Sequence, residues 1–554
     1  MAARRGASAR LDVAAVAVIC AFGAAIRLPG LTSRDLWFDD AWAALPAHVP
    51  LSSAVRMVVT TPLYSLAIRS WITLGPRDTW WAQLPALVLG VLGIAAVYAL
   101  VRAHRYPRLG ALVAAAVVAA GPVTVTYSTR VKEYSCDLLL ACLVLWLVER
   151  WRTAPSAPRL TLLGVASTVA LWTSASTAAV VGGAAVCVVA VGWSHRELRR
   201  QAAGLVVALA VAAAALWGVV LRRLPPQLRV NWRTHGFLFG YSSAHHVAFA
   251  FQQTFAGIAH GLLGLPIAYT FNGDALRAVP MTLAVLTTLA LLALVAPPLV
   301  AVARARGVTI GPTTGPAVAA AAAVVLSVLG TLSGVAPLGD GRTDEALYPA
   351  FLLLGVGAAT SLASRLRTGA ASMTSSRGAV AVVVAAAVGV AALWFGVAHV
   401  AEYPPTGLSS VFARLAPQLR PGDVVVVDGY ESFTWGDEGL RPWAVSFTQG
   451  AVPWPMGFHV RSRDATIVLS SNYLQPDASI FGLARRTHRV WFLGPTTGGY
   501  STSAPRDLWP FPFLTPTLIY FAGDRFPFQG AHGWHPIRSC CGASGAYAQL
   551  FTHR

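Results

Sequence analysis

Three short stretches of this chain hold the residue types that proton transfer and phosphate binding need. The first is Leu36 to Trp42, LWFDDAW, where the adjacent carboxylates Asp39 and Asp40 stand between aromatic rings just after an apolar run. That setting, at a membrane surface, suits an acid/base site better than a solvated loop would. A second reading is a helix N-cap, with Asp40 capping a helix that begins AWAALPAH and Asp39 favoured by the same dipole. The two readings are compatible, because a carboxylate held as a cap would hold its neighbour in place.

The second stretch is Tyr127 to Asp137, YSTRVKEYSCD, in which Arg130, Lys132, Glu133, Tyr134 and Asp137 crowd together. Asp137 begins a run, LLLACLVLWLV, that must enter a bilayer, and an ionisable group at a membrane edge is a functional hypothesis by default. The alternative is interfacial snorkelling by Arg130 and Lys132 with Glu133 as their partner. Lys132 is the only lysine of the chain. The third stretch, PLGDGRTDEALYP from Pro337 to Pro349, offers Arg342 and Tyr348 to a phosphate, since a guanidinium fork matches phosphate oxygens in bidentate geometry. Its alternative is a Gly-rich turn capped by Asp344. The GDG is no nucleotide loop, which would need a strand, turn and helix around it.

Other candidates are weaker. His235, His245, His246 and His260 lack the paired spacing with carboxylate or cysteine that argues for zinc. His532, His535, Cys540 and Cys541 lie close in sequence, but adjacent cysteines make poor zinc geometry and a strained disulfide. The other four cysteines, Cys20, Cys136, Cys142 and Cys187, lie in or beside apolar runs, where a thiol packs as a small hydrophobe. No GxSxG, HExxH, Walker or GxGxxG fingerprint accounts for the chain.

The elements that must position these clusters are membrane spans. With 55% hydrophobic and 12% charged residues over 554 positions, the chain is too apolar for a soluble domain. Stretches of about 20 apolar residues fit a hydrocarbon core, and they fall at 11–28, 84–103, 109–126, 135–150, 159–175, 177–193, 202–221, 281–303, 315–335, 347–364 and 379–399. The net charge is +19, with basic residues spread among short loops; Arg102, Arg105 and Arg108, Arg150 and Arg152, Arg304 and Arg306 fall on one alternate set, so that set is cytoplasmic and no nucleic acid is expected. The basic N-terminus has the charge of a signal peptide without a cleavage site, and reads as a start-in anchor. The outer set then holds all three clusters.

Two outer segments, 29–83 and 222–280, read as interfacial helices, with Trp71, Trp80 and Trp81 at headgroup depth in the first. After about residue 400 the pattern changes. PGDVVVVDGY, DATIVLS, RVWFLGP and AYAQLFT are strand signals, and 408–419 is a helical pattern. The expected architecture is an all-α polytopic membrane bundle over 1–400, about 11 helices with the N-terminus in and the C-terminus out. A small extracytoplasmic α/β domain follows over 401–554. Its Trp435, Trp443 and Trp454 either stack on a glycan or pack in a core.

Taken together, the three clusters resemble the integral-membrane glycosyltransferases of the GT-C fold, particularly family 39-like bacterial members. Asp39-Asp40 stands for the family's acidic pair after the first span. TTPLYSLAIRSWITLGPRDTWWAQLPALVLGVLGIAAVY resembles the segment that follows it. YSTRVKEYSCD resembles a family pattern with Lys132, Tyr134 and Asp137 on matching positions, and APLGDGRTDEALYP places Arg342 and Tyr348. The likeness covers roughly 10–365. It departs at Asp40, where the family has Glu, at Arg130, where a Glu is expected, and at Gln83, near where an Arg is usual.

The resemblance implies an inverting transfer of a hexose or pentose from a polyprenyl-phosphate carrier to a cell-envelope or cell-wall glycan, glycolipid or protein outside the cell membrane. Asp39 is then the expected base, and Lys132, Arg342, Tyr134 and Tyr348 meet the leaving phosphate, with Glu133 and Asp137 orienting these cations or the acceptor. Single displacement needs one essential carboxylate. No cofactor is required. A divalent cation shared by Asp39, Asp40 and Asp137 is an option that phosphate binding by Lys and Arg would make dispensable. Two other classes compete: a polytopic transporter or flippase, for which repeated halves with broken helices would be expected, and a non-catalytic scaffold that binds polyprenyl lipid or glycan.

Overall fold

The computed structural model describes residues 2–32, 40, 43–44, 47, 51, 61–76, 79–194, 196–220, 222, 232–233, 236–240, 243–263, 278–304, 315–339, 341, 343–369, 416–418, 420, 424–427, 458–459, 466–469, 489–495, 534–543 and 546–553. Up to Gly369 the regular structure among them is helical. The helices are α1 (Ala2–Thr32), α2 (Pro62–Leu74), α3 (Thr79–Ala103), α4 (Arg108–Ala120), α5 (Pro122–Tyr127), α6 (Tyr134–Thr153) and α7 (Ala157–Thr173). There follow α8 (Ala178–Ser194), α9 (Arg196–Val219), α10 (Ala244–Leu263), α11 (Ala278–Arg304), α12 (Gly315–Leu332) and α13 (Tyr348–Gly369).

Among the described residues, five stretches are long and apolar enough to cross a membrane: Arg10–Leu31, Trp80–Ala103, Ala175–Gly192, Leu198–Val219 and Met281–Val300. Each overlaps an expected span. Their outward faces keep Val13 and Val18 of α1, Val207 and Val211 of α9, and Leu286, Leu289 and Leu292 of α11 exposed. Exposure of large aliphatics at helical spacing is what a helix adopts when hydrocarbon is its solvent. The expected span at 379–399 lies outside the described residues.

The core sits on α6. Leu138, Ala141, Leu145, Val148 and Trp151 recur at helical spacing and are all buried to 1% or less. Helices α3, α7, α8 and α12 pack around them. Short linkers, Ala154 to Ser156 and Ser174 to Thr177, turn α6, α7 and α8 back on one another. The start of α6, the end of α7 and the start of α8 therefore share one end of the bundle.

The expected continuous span at 109–126 is instead two helices. Gly121 leaves the helical conformation and Pro122 opens α5 at its first position, where its missing N–H costs nothing. The last carbonyls of α4 are left without helical donors. Arg27 of α1, fully buried, supplies them: Nη1 donates to the carbonyl oxygens of Ala119 at 2.7 Å and Gly23 at 2.8 Å, and Nη2 to Val118 at 3.1 Å. A cation at a helix C-terminus also opposes the dipole.

In the expected interfacial segment 29–83, α2 is a half-buried helix that turns sharply into α3. Trp71 and Trp81 stack with ring centroids 4.2 Å apart, and each indole N–H donates to the other's backbone carbonyl, at 2.8 and 3.0 Å. Gly75 makes room for this clasp, since a Cβ there would lie 2.0 Å from the Trp81 ring. In 222–280, α10 is the long described element, and it packs on α11 and α5.

Beyond residue 400 the described elements are a 3-10 turn, Ala416–Gln418, and six strands, β1 (Val424–Val427), β2 (Phe458–His459), β3 (Thr466–Leu469), β4 (Arg489–Pro495), β5 (Trp534–Ala543) and β6 (Ala546–His553). They form one mixed sheet of order β2-β3-β1-β4-β6-β5, in which β1 runs parallel to β3 and β4 while β4, β6 and β5 alternate. The strands at VVVV, TIVL, RVWFLGP and AYAQLFTH fall on the expected strand signals. The rest of the helical pattern at 408–419, with Trp435, Trp443 and Trp454, lies outside the described residues.

Candidate functional site

Asp40 is the keystone of the site. It is fully buried, and residues of the second cluster, some ninety positions away, take up both its oxygens. Arg130 Nη1 donates to Oδ2 at 3.0 Å, and the backbone N–H of Val131 donates to Oδ1 at 2.9 Å. The tight turn 127–134 makes this possible. Short backbone bonds, Thr129 N to the Thr126 carbonyl at 3.1 Å and Lys132 N to the Arg130 carbonyl at 2.9 Å, leave the Val131 N–H free to face the carboxylate. The first two clusters are thereby joined. Asp39, next along the chain, lies outside the described residues.

Lys132 follows in the same turn. It is 9% exposed, and its side chain makes no hydrogen bond or ion pair among the described residues. The ammonium is thereby left available to an anion arriving at this turn. Tyr134 opens α6 and packs edge-on to Tyr127, with ring centroids 4.9 Å apart. Glu133 stands at the cap position just before it.

Tyr64 of α2 joins this group, which sequence reasoning did not anticipate. It is buried, and its phenol is pushed well above the ordinary value of 10.0 by burial first and then by the neighbouring Cys136, Glu133 and Asp40. It therefore stays a neutral hydroxyl at any working pH. Thr61, one turn earlier, donates to the carbonyl of Thr173 at the end of α7, which ties the start of α2 to the same end of the bundle.

Asp137 is fully buried in the first turn of α6, and its polar neighbours include the hydroxyls of Ser174 and Ser176. Its acidic neighbours are Glu133 and Glu345. Glu345, in the 3-10 turn Glu345–Leu347 before α13, is fully buried and neither of its oxygens is hydrogen-bonded among the described residues. Burial pushes its carboxyl up to about 8, against the opposing pull of Arg27. Neither Arg27 nor Glu345 stood out in the sequence. A charge near the end of an apolar run, as at Arg27, is the signal that marks such residues.

In the third cluster Asp344 does what the turn reading expected. It accepts from the Gly339 N–H at 3.0 and 2.9 Å and from the Gly341 N–H at 3.3 Å. Gly339 has φ +89°, and a Cβ there would meet the Thr254 carbonyl of α10 at 2.2 Å, so only glycine fits. Tyr348 is buried and donates to the Gly341 carbonyl at 3.4 Å. It holds the residue beside Arg342, which itself lies outside the described residues.

Among the described residues no group of three or more His, Cys, Asp or Glu has metal-holding geometry, and Asp39, one of the three carboxylates a shared cation would use, lies outside them. His245 is exposed and His246 half-buried on α10, while His235 and His532 lie outside the described residues.

Three comparisons bear on this arrangement. No curated protein matches the chain. Among solved structures, apo ArnT from Cupriavidus metallidurans aligns at 15% identity over 99% of this chain and 98% of its own, with a TM-score of 0.49. The same protein bound to undecaprenyl phosphate gives 14%, 97%, 97% and 0.47. The archaeal oligosaccharyltransferase AglB from Archaeoglobus fulgidus, in complex with an inhibitory peptide and a dolichol-phosphate, gives 12%, 87%, 69% and 0.49. Residues 59–218, which hold α2 to α9 and the Tyr127 to Asp137 cluster, match the model of the dolichyl-phosphate-mannose-protein mannosyltransferase family. Over that segment the resemblance to GT-C glycosyltransferases read from the motifs is met by a matching family model.

Proposed function

We propose that the chain is an inverting glycosyltransferase of the cell membrane that moves a sugar from a polyprenyl-phosphate carrier to a cell-envelope glycan, glycolipid or protein on the outer side. The observation that carries this reading is Lys132, a cation whose side chain has no partner among the described residues, set one residue from the pair that anchors Asp40. The family match over 59–218 supports it, since that family is named for transfer from a lipid phosphate-linked sugar.

In this mechanism Asp39 takes the proton of an acceptor hydroxyl as its oxygen attacks the anomeric carbon. The bond from that carbon to the phosphate oxygen breaks on the opposite face, which inverts the centre. The leaving phosphate carries away the electron pair, and Lys132 and Arg342 meet its charge, with Tyr134 as a hydroxyl donor. Arg130 is spent on Asp40 and acts by anchoring the residue next to Asp39 in the chain. Tyr348 likewise positions Arg342 through Gly341, while Glu133 and Asp137 orient the cations or the acceptor.

The test is transfer by purified protein from radiolabelled polyprenyl-phosphate sugars to envelope acceptors, compared with Asp39→Asn. The variant is expected to lose transfer and keep donor binding. Normal transfer by Asp39→Asn would remove Asp39 as the base, and vesicle uptake of substrate without any transfer would favour a transporter.

A further inference from the structure

The most exposed question in the fold is a residue with no exposure at all. Gln83, in the second turn of α3, is fully buried, and both its amide nitrogen and its amide oxygen lack a hydrogen-bond partner among the described residues. Buried amides are almost always satisfied, and leaving a donor and an acceptor unmet is a penalty that a packed chain avoids by using an apolar side chain.

The direction of the side chain follows from the helix. Gln83, Leu87, Gly90 and Ile94 recur at helical spacing and are all buried, so they form one face of α3. That face is pressed onto the second cluster: a Cβ on Gly93 would lie 2.5 Å from Leu138 of α6, and one on Gly90 would lie 2.0 Å from Ser128 Oγ. Leu138 lies one turn into α6, and Ser128 lies before it. Gln83 lies on the same face seven residues, about 10 Å, nearer the start of α3 than Gly90, toward the end of the bundle that carries the turn 129–133.

We propose that Gln83 is a specificity residue that reads hydroxyl groups of the sugar on the lipid donor. This rests on the glycosyltransferase reading above. The chemistry of the amide selects the ligand. A phosphate oxygen could only accept from the amide nitrogen and would leave the amide oxygen unmet. A pair of sugar hydroxyls both donates and accepts, and so satisfies both ends at once. The division of labour is then simple: Lys132 takes the phosphate, and the neutral amide takes the sugar.

The test measures binding of polyprenyl phosphate, bare and carrying a hexose or a pentose, to the full chain in nanodiscs. Wild-type protein is expected to bind a sugar-bearing lipid more tightly than the bare one. Gln83→Leu, and Gln83→Met should the first variant fold poorly, are expected to lose that preference by about tenfold while binding the bare lipid as before. Removal of an unmet amide should leave thermal stability equal or higher in both. An unchanged preference in a folded variant, as a structural water on the amide would give, overturns the inference and leaves the transferase reading standing. Absence of any preference in the wild type also overturns it. Failure of the wild type to bind either lipid overturns the transferase reading itself.

Discussion

Consider removal of the Arg130 guanidinium by Arg130→Met, which keeps the apolar stem and deletes the charge. Asp40 is fully buried and would keep the Val131 N–H at 2.9 Å but lose the bond to Arg130 at 3.0 Å. Breaking one side of a buried pair strands the other charge, which costs about 3–5 kcal/mol. Asp40→Asn strands Arg130 in the same way, but Arg130 at 8% exposure has some access to solvent, so its penalty should be the smaller. The double variant removes both charges and should recover much of the loss. Equilibrium unfolding of the wild type, both single variants and the double variant in mixed micelles gives the coupling, expected at about 2 kcal/mol or more. Single-variant losses within about 0.5 kcal/mol of zero, the range of an ordinary surface change, would refute the view that this pair fastens the first loop to the second cluster. Transfer provides an independent readout: Arg130→Met should lower it while donor binding through Lys132 persists.

Two further outcomes follow from the same geometry. Lys132→Ala should weaken polyprenyl-phosphate binding by about tenfold or more, the worth of one charge-assisted bond, and leave acceptor binding nearly unchanged; direct binding of both ligands checks it, and an unaltered lipid affinity would dismiss the phosphate clamp. Glu345 holds its proton up to about pH 8 in the fold against an ordinary 4.5, so the folded state binds more protons than the unfolded state between those values. Stability should therefore fall as pH rises through that window, by at most about 1.4 kcal/mol per unit. In Glu345→Gln the slope should vanish and stability at neutral pH should rise, which thermal unfolding across the pH range measures.

Much of the helical layout was legible in the residue order, because an apolar run of membrane length admits few structures other than a helix. The same holds for the short β-branched runs near the C-terminus, four of which are strands. The three clusters could also be picked out locally, since ionisable groups beside apolar runs are conspicuous. The division of 109–126 into α4 and α5 was written in Gly121-Pro122, but the carbonyls that the break exposes are answered by Arg27 from another helix, with Thr124.

Partner choice was the part that only tertiary structure decided. Asp40 looked equally like a helix cap and a proton acceptor, and the fold gives its oxygens to Arg130 and Val131, ninety residues away. Arg130 and Lys132, two positions apart, looked alike as cations; one is paired and the other has no partner among the described residues. Tyr64 and Glu345 gave no local sign of importance, and Gln83 only that of a departure from a family pattern, because burial depends on which helices pack together and not on neighbours in the chain. A residue order states which charges and amides a chain owns. Only packing determines which of them lose water, which find one another, and which are left waiting for a ligand.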